Sequence, residues 1–118
     1  MKLRIHEQRL RLRLTEGEIR SLKEEGHLCE TLRFGSGEQM EFSYAIELLP
    51  EREDFGLRYR PGRITLLMGA LLCREWEDSG EISFSGEVQT EGGEIISLLV
   101  ERDLPCRHDR QKEHRLRA

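Results

Sequence analysis

Long apolar runs are missing from this sequence. No stretch approaches the roughly 20 residues that a membrane-crossing helix needs, and the first residues alternate leucine with charge, so neither a membrane span nor a secretory signal is expected. Cysteine is sparse and scattered. Cys29, Cys73 and Cys106 form no C-x-x-C pair, which argues against a disulfide framework and for reduced thiols in a cytoplasmic protein. Catalytic signatures are missing too. There is no G-x-S-x-G elbow, no P-loop and no G-x-G-x-x-G after a strand. Lys2 to His6 does not supply the Glu-x-Glu-x-Lys strand that opens triphosphate-tunnel barrels. Internal repeats, low-complexity tracts and linkers are not visible. A single domain over residues 1–106 is expected, followed by a charged tail, 107–118, predicted to be mobile.

What the chain does contain is charge. Charged residues make up 36% of its 118 residues, equal to the hydrophobic share, and the net charge is −4. One compact core fits this length, and it must be thin. The two ends are basic and the middle is acidic. A nucleic-acid partner is disfavoured, because the acidic middle opposes the counterion release on which such binding depends.

The most informative stretch is the first twenty-six residues. Leu3, Ile5, Leu10, Leu12 and Leu14 alternate with Lys2, Arg4, His6, Arg9, Arg11 and Arg13 around a turn near Glu7–Gln8. Period two sends the leucines to one sheet face and the cations to the other. Thr15 and Glu18 have capping-box spacing, Leu14 and Ile19 form a hydrophobic staple, and Gly26 supplies the left-handed helix end, so a helix is predicted over 16–25.

Further along, His27–Phe34 and Met40–Leu48 read as a hairpin around Gly35-Ser36-Gly37, with Leu28, Leu32 and Phe34 sharing one face. Residues 55–60 and 63–68 read as a second hairpin around Pro61-Gly62. A change of period over 69–77 predicts a second helix packed by Trp76. Residues 82–89 read as a strand in which Gly86 could allow a bulge. Residues 94–103 are apolar on both faces, as befits a central strand. The expected class is α+β: six to eight mostly antiparallel strands, able to curl into a partial barrel, with two short helices.

Two clusters are candidate sites. Arg9, Arg11 and Arg13, with Arg4 across the hairpin, could converge on a phosphate or carboxylate. The plainer alternative is a solvated face whose arginines pair with acids such as Glu41 and Glu47. Cys106, His108 and His114 are chemically suitable zinc ligands, against the alternative of a half-buried cysteine followed by a frayed tail. Cys73, beside Leu71, Leu72 and Trp76, reads as core packing rather than an activated thiol.

Several stretches resemble a family of small uncharacterised bacterial proteins, a domain of unknown function. They are Leu10-Arg11-Leu12-Arg13-Leu14-Thr15, Arg33-Phe34-Gly35, and Leu99-Val100-Glu101-Arg102-Asp103-Leu104-Pro105-Cys106. The likeness runs over most of residues 2–106. Two departures stand out: the first turn lacks a glycine-asparagine type of residue, and the tail after Cys106 is basic where acids are expected. The resemblance implies a cytoplasmic α+β domain and supplies no activity and no catalytic residue. The residues thus point to a non-enzymatic binding or protein-interaction module with no cofactor, whose partner is an unidentified protein or a second copy of the chain. The alternative is an anion-binding or phosphoester-processing protein built on the arginine face.

Overall fold

The computed structural model describes residues 1–103, which form eight strands and two helices. Strands β1 (Lys2–His6) and β2 (Arg9–Leu14) make the opening hairpin and lead into α1 (Glu16–Glu25). Strands β3 (His27–Arg33) and β4 (Glu41–Leu49) follow, then β5 (Phe55–Arg60) and β6 (Arg63–Gly69). Helix α2 (Ala70–Ser79), β7 (Ser83–Gln89) and β8 (Ile95–Arg102) complete the order.

Local chemistry accounts for the opening unit. Thr15 accepts from the Glu18 backbone amide while the Glu18 carboxylate accepts from the Thr15 amide, closing the capping box. Burial raises the Glu18 carboxyl, but hydrogen bonds from the Met1 ammonium and the Thr15 amide outweigh it and hold the group below its ordinary range. Gly26 ends the helix with φ 84° and returns its amide to the Leu22 carbonyl.

The strands sort into two four-stranded sheets, ordered β1-β2-β8-β7 and β3-β4-β6-β5. Each is two antiparallel hairpins joined by a parallel pair, β2 with β8 and β4 with β6. The sheets are therefore mixed, and they do not close into a barrel. The bulge that Gly86 could allow is not formed, since Gly86 pairs in register with Leu98. Its missing side chain serves packing instead: a Cβ there would lie 2.8 Å from the Phe55 ring.

One core joins everything. Leu10, Leu12, Leu14, Leu98 and Val100 come from the first sheet, and Ile46, Leu66 and Met68 from the second. Ile19 and Leu22 of α1 and Cys73 and Trp76 of α2 complete it. The helices start where β2 and β6 end and pack against each other, so they occupy one end of the molecule. Leu32 and Phe34 depart from the expected inward face and are exposed, because β3 is an edge strand that runs past the core.

The topology contains a repeat that residue identity conceals. Residues 2–49 and 55–102 each run ββαββ. Exchanging the halves converts one sheet order into the other. The registers agree as well: Arg9 lies opposite Ser97 as Arg63 lies opposite Ser43, and Leu3 opposite Leu12 as Leu57 opposite Leu66.

Candidate functional site

The repeat leaves β5 and β7 as outer strands of different sheets that approach each other without ladder hydrogen bonds. Phe55 closes the lower part of this seam by lying over Gly86. Above it the edges diverge into a groove of about 1000 Å³, lined by Phe55, Leu57, Tyr59, Val88 and Ile96 among others.

Backbone bonding shows what the groove offers. The Gly69 amide donates to the Asp54 carbonyl, and alternation in an antiparallel ladder then points residues 56, 58 and 60 at β6. The amides and carbonyls of Phe55, Leu57 and Tyr59 are left facing the seam. On β7, the bonds from Arg102 to Ile82 and from Thr90 to Glu94 point the even-numbered residues at β8. Ser83, Ser85, Glu87 and Gln89 therefore present their backbone to the same seam. Both strands run away from the helices, so the groove is walled by two roughly parallel unpaired edges. Such edges are templates for another strand.

At the end away from the helices a smaller apolar cleft of about 190 Å³ opens between the sheets, lined by Ile5, Leu10, Leu57, Tyr59, Ile64 and Ile96. Ile5 is 57% exposed and Tyr59 69%. They occupy equivalent positions of the two halves. Sequence reasoning placed Ile5 on an inner face and missed the groove, since an inward residue at a sheet's open end is covered only if a neighbouring strand reaches it.

The arginine face is distributed differently from the expectation. Arg13 is held by Glu101, with Nη2 2.6 Å from Oε1, and Lys2 lies 3.3 Å from Asp103. Glu41 and Glu47 belong to the other sheet, where they face Arg33 and Arg58, so they do not neutralise the first hairpin. Arg4, Arg9 and Arg11 line a shallow hollow with His6. Arg13 thus shares the face of the other three but pairs its charge with Glu101.

Cys73 is core, as its neighbours implied, and burial pushes its thiol up to about 11. Cys29 and Cys73 are free thiols. Cys106, His108 and His114 lie outside the described residues, and among the described residues no group of His, Cys, Asp and Glu is arranged to hold a metal ion. No described helix is long and apolar enough to cross a membrane.

Among known proteins, a family model described as a family of unknown function (DUF7009) matches residues 1–117. No curated protein and no solved structure matches the chain.

Proposed function

We propose that this chain, which belongs to the DUF7009 family of unknown function, is a non-enzymatic cytoplasmic interaction module that takes an extended segment of a partner protein along the β5–β7 groove. The observation carrying this reading is the pair of unpaired strand edges walling a groove with an apolar floor. An added strand would satisfy the outward backbone groups of Phe55, Leu57 and Tyr59, while its alternate apolar side chains would cover Tyr59, Val88 and Ile96. Backbone bonds supply affinity in this mode, and the side-chain pockets supply selectivity. The groove lining carries both signs, with Arg52 and Arg58 from one sheet and Glu87 and Glu91 from the other, so a partner segment of near-neutral charge fits it best.

Selection from a random peptide display library tests the reading. Recovered peptides should carry apolar residues at alternate positions. They should slow hydrogen exchange at the amides of Leu57, Tyr59, Glu87 and Gln89, and Tyr59→Asp should weaken them at least tenfold. Peptides that protect other amides, or ones indifferent to Tyr59→Asp, would refute the groove. A concentration-dependent dimer that protects β5 in the absence of peptide would replace the partner protein with a second copy of this chain.

A further inference from the structure

The two halves handle the same charge differently. In the second half Arg58 lies two strands from Glu47 and reaches it at 3.0 Å. The equivalents in the first half are Arg4 and Glu101. Arg13, which stands where the second half has Leu67, sits directly opposite Glu101 and takes it instead. Arg4 is left directly opposite Arg11, with about 5 Å between their Cα atoms. Arg9 stands on the same face, one two-residue repeat, about 7 Å, from Arg11. Like charges placed across a ladder destabilise it. Among the described residues no carboxylate lies within ion-pair distance of Arg4, Arg9 or Arg11.

We propose that this face is a binding site for an organic oligophosphate, whose phosphoryl groups are held by Arg4, Arg9 and Arg11. Three guanidinium groups within one ladder repeat of one another match a ligand that carries two or more adjacent anionic groups and accepts paired hydrogen bonds. Arg9 and Arg11 also border a second hollow of about 370 Å³ on the other side of β2, which contains Leu99, Ser85 and Ser97. Leu99 offers an apolar surface and the two serines offer hydroxyls, which suits a ring system carrying polar edges. Glu87 at the far rim turns away additional negative charge and favours a ligand whose anionic end is confined to the arginines. Both hollows are shallow and open to solvent, so the site holds a ligand and does not enclose a reaction.

Isothermal titration of the full chain with ADP, pyrophosphate, adenosine, sulfate and a glutamate-rich heptapeptide separates the components. ADP should bind at least tenfold more tightly than sulfate, the heptapeptide or adenosine, and several-fold more tightly than pyrophosphate. Arg4→Ala and Arg9→Ala, both at exposed positions, should each weaken ADP about tenfold. ADP should also protect Arg4, Arg9 and Arg11, but not Arg60 or Arg74, from phenylglyoxal. Equal affinity for sulfate and ADP, or unchanged affinity in the two variants, would overturn the site. Pyrophosphate binding as tightly as ADP would overturn the role given to Leu99, and heptapeptide binding as tightly as ADP would overturn the phosphoryl assignment. The site lies on the outer face of the first sheet, so any of these results leaves the groove reading standing.

Discussion

The ββαββ half at residues 2–49 and the one at 55–102 share a skeleton and almost nothing of their surfaces. Inside, the fully buried positions keep their character: Leu12 answers to Leu66, Leu14 to Met68, Ile19 to Cys73, Leu22 to Trp76 and Ile46 to Val100, and all of them are buried. Both helices end on left-handed glycines, Gly26 and Gly80. Outside, Arg9, Arg11 and Arg13 of β2 become Arg63, Thr65 and Leu67 of β6. The lesson is that two four-stranded sheets and a shared core need only the inward pattern. The outward pattern is freer, although Ser43, Ala45 and Thr65 of the second sheet are covered, and where it stays exposed it is available for binding.

A buried inward position breaks the rule. Arg102 stands where the first half has Leu48 and is only 6% exposed. Its guanidinium donates to the Trp76 carbonyl at the end of α2, to the Glu81 carbonyl and to the Glu16 carboxylate at the start of α1. It also lies 5.8 Å from the Trp76 ring centroid. A cation suits the carbonyl end of α2 and an acid suits the amide end of α1, so this one side chain ties the two halves together through both helices.

Three measurements break or sharpen the equivalence. Leu22→Ala and Trp76→Ala, read by urea unfolding, should give the largest effects. We expect about 3–5 kcal/mol for tryptophan and somewhat less for leucine, since the larger side chain leaves the larger cavity. A Leu22 cost exceeding that of Trp76 would mean the core is not shared between the halves.

The helix starts should differ next. Thr15 caps α1 with its side chain, whereas Gly69 before α2 makes no side-chain cap. Gly69 is required for another reason: an added Cβ would lie 2.1 Å from the Arg52 carbonyl oxygen. Gly69→Ala should therefore cost about 3 kcal/mol through displacement of the 50–54 loop, against about 1 kcal/mol for Thr15→Ala. Equal costs in thermal unfolding would sink the distinction.

The smallest effects should fall at the helix ends. Gly26 and Gly80 have φ of 84° and 76°, and a Cβ at either meets nothing within 4 Å. Alanine at each should cost about 1 kcal/mol, all of it left-handed strain, and the two values should agree to about 0.5 kcal/mol.

Much of the fold was legible. The Thr15–Glu18 box, the Leu14–Ile19 staple, the Gly26 stop, the alternation of β2 and the two-faced apolar run of β8 are local signals, and each element stands where its signal lies. The repeat was not legible, because positions such as Leu22 and Trp76 share burial and not identity. The pairing that sets Arg13 apart from Arg4, Arg9 and Arg11 was not legible either. Glu101, which removes Arg13, is distant in sequence and arrives only when β8 lies down beside β2.

By itself the sequence determined the elements: where each strand alternates, where each helix is capped, and which face of each is apolar. These follow from neighbours within four or five residues, and their chemistry is complete at that range. Tertiary structure alone decided that β2 lies parallel to β8 and β4 to β6, and hence that β5 and β7 are left facing across an open seam. An apolar strand face is satisfied by any apolar partner, so only the joint packing of two sheets and two helices around Trp76 chooses among the pairings.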